Sequence, residues 1–151
     1  MFDRKISLAD AMPLLEETLA QGKTFTFGPK GTSMLPMIVM GRDTVELTAA
    51  PEKLSPFDLP LYRRDDGHYV LHRVVKVGET YTCIGDNQFE YEPGVRHDQI
   101  IGVACAFTHN GKRRSTEALS YRLYCRFWHY SRPVRHFGRK IKWFIRRRFK
   151  K

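Results

Sequence analysis

Residues 69–84 read YVLHRVVKVGETYTCI, and this stretch sets the main expectation for the fold. Its two halves, 69–77 and 81–84, are rich in β-branched and aromatic residues, which favour strands, and Gly78 lies in the short break between them. Consecutive strands that are close in the chain usually pair with each other. The stretch therefore predicts a β-hairpin, with His72 in the middle of its first strand.

Similar short strand patterns occur on both sides of this hairpin. Gly, Pro, Asp or Asn residues separate them, and neither βαβ spacing nor a glycine-rich phosphate loop occurs among them. Amphipathic patterns typical of helices occur only near the two ends of the chain. The sequence therefore predicts a mainly β (α+β) fold with helices at both ends. The predicted strands are 24–27, 45–47, 59–62, 69–77, 81–84 and 100–107, and the predicted helices are 10–21, 121–130 and 134–149.

The positive charge of the chain is concentrated at its C-terminal end. The 151 residues carry a formal net charge of +10, but residues 1–111 hold 11 Lys or Arg against 15 Asp or Glu. Residues 112–151 hold the other 15 basic residues and one acid, Glu117. This division predicts a slightly acidic domain at 1–111 followed by a basic helical tail at 112–151.

The sequence has neither a long apolar run nor a secretory leader pattern. Its runs without charged or strongly polar residues, such as 100–107, are far shorter than the roughly 18 residues that cross a bilayer. The first residues lack the apolar centre and small-residue cleavage site of a secretory signal. Three cysteines without a Cys-x-x-Cys pair argue against a disulfide framework and a structural zinc site. We therefore expect a cytoplasmic protein.

A candidate nucleophile lies at Ser33, in the segment GTSMLP at residues 31–36. A nucleophilic serine needs an exposed Oγ, a base, and backbone N–H groups for the oxyanion, and a glycine-bounded turn supplies the first and third. A hairpin over 69–84 would bring His72 and Asp86 towards one end of its ladder, where a carboxylate can fix the imidazole tautomer. Each of these residues alone has a plain structural interpretation, as a turn former or a half-buried histidine. The prediction of a catalytic site therefore depends on all three segments together.

These three segments resemble the signal peptidase I family, in its eukaryotic and archaeal branch that uses serine and histidine. The family has a Ser-Met-x-Pro box, a base directly before an arginine, and a later Gly-Asp-Asn box. Here the same order is found at residues 33–36, at His72-Arg73 and at residues 85–87. The resemblance spans 24–107 and implies a signal-peptidase/LexA-like β-fold. LexA-like repressors use serine and lysine, so His72 favours the signal peptidase branch.

The resemblance also implies the roles of individual residues. Ser33 would be the nucleophile, His72 the general base and Asp86 the orienting acid. The backbone N–H of Ser33 would be one oxyanion donor. Bacterial members add a hydroxyl two residues before the nucleophile, where this chain has Gly31. Either Thr32 or another backbone group would replace it, or the oxyanion hole would be weaker.

Other side chains leave alternatives open. Glu92 stands near the position of a further aspartate in the eukaryotic branch, so it is a candidate second carboxylate. Lys76 shares a predicted strand face with His72 and would allow a serine and lysine pair. His68 would lie about 13 Å from His72 on a strand that rises roughly 3.3 Å per residue, too far for both to bind one ion. We expect no metal and no cofactor.

The basic tail has the pattern of an amphipathic helix. Apolar residues recur at helical spacing from Phe137 to Phe149, and Lys and Arg cover most of the remaining surface. Such helices suit the boundary between lipid headgroups and acyl chains, where anionic lipid attracts basic side chains. The sequence therefore predicts that residues 121–151 attach the protein to an anionic membrane surface, at the inner face of the cytoplasmic membrane. Nucleic acid, an acidic leader peptide and a merely solubilising tail are the alternatives.

Together these patterns predict a serine endopeptidase that cleaves an extended peptide or leader by acyl transfer to water. The peptide or protein substrate would lie beside a strand edge. Two other functions stay open: a catalytically inactive peptide-binding module of the same fold, and an adaptor that binds a membrane or nucleic acid through the cationic tail.

Overall fold

The fold consists of two antiparallel sheets and three helices. The structure is a computed structural model that describes residues 8–149, except the side chain of Phe149. Within this range the chain forms nine strands, and this mixed arrangement confirms the mainly β (α+β) fold class expected from the sequence. The elements are α1 (Leu8–Ala20), β1 (Phe25–Phe27), β2 (Val45–Thr48), β3 (Pro60–Arg63), β4 (Tyr69–Leu71), β5 (Arg73–Val77), β6 (Tyr81–Ile84), β7 (Glu92–Val95), β8 (Ile100–His109), β9 (Lys112–Ser115), α2 (Leu119–Tyr130) and α3 (Arg132–Phe149).

The long strand β8 organises the larger sheet. The strand order is β1-β2-β8-β3-β4, and β9 also pairs with β8. Val103 in β8 pairs with both β2 and β3, and Phe107 further along pairs with both β2 and β9. Strands β3 and β9 therefore follow each other along the same edge of β8. The terminal strands β1 and β4 each keep one edge without a partner strand in the described part of the chain.

The chain changes from one sheet to the other at His72. Leu71 in β4 pairs with Leu61 in the larger sheet, whereas Arg73 in β5 pairs with Ile84 in the smaller sheet, whose order is β5-β6-β7. The predicted hairpin of β5 and β6 is present. The expectation that His72 lies in the middle of one strand is wrong, because its two neighbours pair in different sheets. His72 therefore lies at the junction of the two sheets.

Helix α1 packs its apolar face against the larger sheet. Met12, Leu15 and Leu19 are buried in the main core, as expected from their spacing on one helical face. Gly102 in β8 is required at this contact, because a Cβ there would lie 2.8 Å from the Leu19 Cδ1 atom and 2.9 Å from the Thr48 carbonyl oxygen. Leu8, the first described residue, is already part of this helix, two residues before the predicted start.

The boundary predicted at residue 111 falls inside the larger sheet. Asn110 and Gly111 form the tight turn between β8 and β9, and both have the left-handed backbone angles that such turns need. Beyond β9, Tyr121 and Cys125 of α2 are buried in the main core together with Leu15. Residues 112–130 are therefore part of the folded domain, which differs from the prediction of a tail that starts at 112.

Helix α3 follows α2 after one residue and carries a largely exposed surface. Val134, Phe137 and Phe144 are all exposed. Among residues 8–149, no helix combines the length and the apolar character needed to cross a membrane. Residues 150 and 151, which the prediction included in the membrane-binding segment, lie outside the described residues.

Candidate active site

The loop that carries Ser33 is anchored in the main core. Met34, Met37 and Ile38 are buried there, while Ser33 itself is only half-buried. Gly31, two residues before Ser33, has a φ of 88°. This left-handed conformation would be strained for any residue with a side chain, so the loop needs glycine at this position. The sequence thus fixes the position of Ser33 through the apolar residues that follow it.

The turn at residues 85–87 holds the backbone of this loop. The Asn87 N–H donates to the Ser33 carbonyl oxygen at 2.8 Å, and the Asn87 side-chain amide donates to the Thr32 carbonyl oxygen at 3.1 Å. A Cβ on Gly85 would lie 2.7 Å from the Ser33 carbonyl oxygen, closer than such atoms approach. Only glycine fits at position 85, and the Gly-Asp-Asn segment acts here by positioning Ser33.

Ser33 and His72 line the same cavity, which has a volume of about 180 Å³. Gly31, Met40 and Tyr69 are also part of its lining. Within the described residues, no hydrogen bond joins the Ser33 hydroxyl to the His72 ring. Catalytic hydrogen bonds are often long before substrate binds, so this arrangement is compatible with a nucleophile and its base.

The Nδ1 atom of His72 faces two oxygen acceptors. It lies 3.4 Å from the Tyr62 hydroxyl and 3.4 Å from Glu92 Oε2. The Tyr62 hydroxyl donates its own proton to Glu92 at 2.7 Å, and Arg64 donates to both oxygens of the same carboxylate. Two acceptors beside Nδ1 favour the tautomer that carries the proton there. Nε2 is then the basic nitrogen of the ring.

The surroundings of His72 and Glu92 shift both pKa values in the direction that a general base needs. Burial lowers the pKa of His72 below its ordinary 6.5, and the Glu92 charge opposes this shift only in part. Burial raises the pKa of Glu92, but the hydrogen bonds from Arg64 and Tyr62 outweigh it and leave that pKa below its ordinary value. At neutral pH the imidazole is therefore neutral and the carboxylate beside it is ionised.

Asp86 lies beside Arg73 and not beside His72. Arg73 Nε and Nη2 donate to the two Asp86 oxygens, each at 2.8 Å, and both side chains are almost completely buried. Asp86 makes no hydrogen bond to His72 in the described structure. Neighbouring residues of an extended chain project to opposite sides, and Asp86 is on the side of Arg73. The role expected for Asp86, that of orienting the imidazole, therefore falls to Glu92 by contact.

Arg73 also connects this region to helix α2. Its Nη1 donates to the Tyr121 hydroxyl at 2.9 Å and to the Cys125 sulfur at 2.9 Å. Sequence reasoning missed this role, although a signal was present: a charged residue between apolar strand residues needs a buried partner of opposite charge. Arg73 thereby joins the smaller sheet, the turn that carries Asp86 and helix α2.

Helices α2 and α3 contact the carbonyl oxygens of the same turn. Trp128 Nε1 donates to the Asp86 carbonyl oxygen at 2.7 Å, and Arg139 donates to the Asn87 carbonyl oxygen at 3.3 Å. Because Asn87 also holds Ser33, the turn is bound by the C-terminal helices on one side and by the Ser33 loop on the other. The helices thus support the candidate site without lining its cavity.

The Ser33 N–H is available as an oxyanion donor. Within residues 8–149 it has no intramolecular hydrogen-bond acceptor, and donors of this kind stabilise the oxyanion of acyl transfer. Thr32, the other expected donor, is exposed and does not line the cavity. Lys76 is exposed and also does not line it. The geometry thus favours the Ser33 backbone for the oxyanion and His72 for the base.

Comparisons with known proteins assign no family to this chain. No protein-family model, curated protein or solved structure matches it. The resemblance to signal peptidases therefore depends on the three sequence segments alone.

Proposed function

We propose that this protein is a serine endopeptidase of signal-peptidase type, with Ser33 as the nucleophile and His72 as the general base. The observation that carries the proposal is that both residues line one cavity, with the His72 Nδ1 atom held towards Glu92 and Tyr62. A nucleophile, a base and a group that orients the base are the parts that serine acyl transfer requires.

The reaction follows from these positions. Ser33 Oγ attacks the carbonyl carbon of the scissile bond while His72 Nε2 accepts the hydroxyl proton, and the Ser33 N–H donates to the oxyanion. The imidazolium then gives its proton to the leaving amine, and an acyl ester remains on Ser33. Water then attacks this ester while His72 accepts one of its protons. The bond between the acyl carbon and Ser33 Oγ breaks, His72 returns the proton to Oγ, and the acid product leaves. The Glu92 carboxylate stabilises the imidazolium in both halves of the reaction.

The substrate class follows from the two unpaired strand edges beside the cavity. A second cavity of about 390 Å³ adjoins the first and is lined by β1, by Tyr69 and Leu71 of β4, and by Leu8. The two cavities share four lining residues: Pro29, Lys30, Tyr69 and Leu71. An extended peptide can pair with such a free edge and place an apolar side chain in the adjoining cavity. The proposed substrate is therefore an extended segment of polypeptide.

The proposal is tested by trapping the acyl-enzyme. The full chain is mixed with a set of activated peptide esters that differ in the side chain before the ester. The reaction is quenched with acid, and the mass of the intact protein is measured by mass spectrometry. We expect a mass increase equal to the acyl group, located by peptide mapping at Ser33. Acylation at a different residue would contradict the proposal, and so would the absence of acylation by every ester in the set.

The pH dependence of cleavage provides an independent test of the base. Only the neutral imidazole can accept the serine proton, so kcat/KM should fall as the pH drops through the pKa of His72, and the midpoint should lie below 6.5. The Glu92 charge raises that pKa, so Glu92→Gln should move the midpoint to still lower pH. A midpoint that stays in place or moves upward in Glu92→Gln would show that Glu92 does not act on the base.

A further inference from the structure

Helices α2 and α3 hold most of the strongly exposed apolar side chains. Among the described residues thirteen large apolar side chains are exposed, and ten of these lie on the two C-terminal helices. We call these ten side chains the helical apolar surface. They are Leu119, Leu123, Phe127, Tyr130, Val134, Phe137, Ile141, Trp143, Phe144 and Ile145.

Most of this surface points away from the folded domain. Phe137, Ile141 and Phe144 follow each other at intervals of four and three residues, so they share one face of α3. Arg135 and Arg139, which donate to carbonyl oxygens of the 85–87 turn, lie on the other side of that helix. In α2 the buried side is likewise distinct from the exposed stripe that contains Leu123 and Phe127.

The charges around this surface all have one sign. Between residues 119 and 149 there are ten Lys or Arg and no Asp or Glu. Within the described residues, no side chain of α2 or α3 forms an ion pair with an acid. Lys140 and Lys142 are both exposed on α3, and Lys140 lies next to the stripe of Phe137, Ile141 and Phe144. These two lysines are therefore available to an external anion.

We propose that the helical apolar surface binds anionic lipid, with α2 and α3 lying in the plane of the membrane boundary. The apolar side chains enter the acyl region, and the long Lys and Arg side chains extend to the lipid phosphates. A nucleic acid would use the charges and could stack on aromatic rings, but it offers no partner for Leu, Val and Ile side chains. The combination of aliphatic and cationic residues on one surface thus favours lipid.

Vesicle flotation tests this proposal. The full chain is mixed with vesicles of phosphatidylcholine alone, or of phosphatidylcholine and phosphatidylglycerol in equal parts, and we expect flotation only with the second. The double variant Phe137→Ser/Phe144→Ser should reduce the partition coefficient by about a hundredfold, because each buried aromatic side chain contributes at least about tenfold. Lys140→Gln/Lys142→Gln should reduce it about fivefold for each charge removed.

Matched controls distinguish binding by the helical apolar surface from nonspecific hydrophobic adsorption to vesicles. Leu14 is an equally exposed apolar residue on α1, at 61%, and Leu14→Ser should leave flotation unchanged. Circular dichroism and the thermal midpoint should be the same for all variants, because the changed side chains lie on the surface. Binding to both vesicle types alike, binding unaffected by Phe137→Ser/Phe144→Ser, or binding to single-stranded DNA but not to vesicles would each overturn the proposal. None of these readouts requires peptidase activity.

Discussion

Replacement of Ser33 by alanine is expected to abolish peptide cleavage and to leave the fold intact. Loss of the nucleophile removes the acyl-enzyme route, which in serine peptidases costs about 10⁴–10⁶-fold in kcat. The fold should persist because the Ser33 hydroxyl has no hydrogen bond within the described residues. The backbone carbonyl that receives the Asn87 N–H is unchanged by the substitution.

The measurement is mass spectrometry of a peptide mixture incubated with each variant. Ser120→Ala is a matched control, because Ser120 is exposed at the start of α2 and does not line the cavity of Ser33 and His72. It should give the same cleavage products as the unchanged chain. If Ser33→Ala cuts the same bonds at a similar rate, Ser33 is not the nucleophile.

Removal of one member of the Arg73–Asp86 pair is expected to cause the largest loss of stability. Asp86→Asn leaves the Arg73 guanidinium buried without a carboxylate, and breaking a buried pair in this way costs about 3–5 kcal/mol of unfolding free energy. The double variant Arg73→Met/Asp86→Asn leaves no buried charge at this position. It should therefore lose less stability than the two single variants added together.

Denaturant unfolding of the four chains in this cycle measures the coupling. The pair of the exposed Arg113 and the half-buried Glu46 is the control, since Arg113→Met removes a contact that solvent screens and should change the unfolding midpoint much less. Additive losses for Arg73 and Asp86 would show that the two residues do not act as a pair. The same experiment distinguishes Asp86 from Glu92, because Glu92→Gln should act on the pH profile and Asp86→Asn on stability.

The strands that the sequence predicted are those with apolar alternation, and those that it missed lack it. Strand β7 contains Pro93 and Gly94, which usually argue against a strand, but β7 is an edge of the smaller sheet, where proline is tolerated. Strand β9 has the sequence KRRS, which gives no apolar signal because its side chains are mostly exposed. Both strands are defined by the partners beside them, which local sequence does not show.

Ser33 and His72 line one cavity, which is compatible with the order of the motif segments in which they occur. The sequence did not show whether Asp86 or Glu92 lies beside His72, and this required the structure. Asp86 and His72 are close in the pairing of β5 and β6, so sequence reasoning placed them together. The change of sheets at His72 turns its ring towards Glu92 and leaves Arg73 facing Asp86. Which carboxylate lies beside His72 depends on how the two sheets pack together. The pattern of a single strand contains no information about this packing.

The 85–87 turn is bound by the Ser33 loop on one side and by α2 and α3 on the other. These contacts limit the truncations and substitutions that the chain tolerates. A version that ends before α2 would lose Tyr121 and Cys125, two of the partners of Arg73, and the indole that holds the Asp86 carbonyl oxygen. The loop with Ser33 would then lack part of its support. The inner sides of α2 and α3 should therefore tolerate few substitutions. Their outer sides make no contact with the turn. We therefore expect homologues that bind other kinds of surface to differ first in these outer residues.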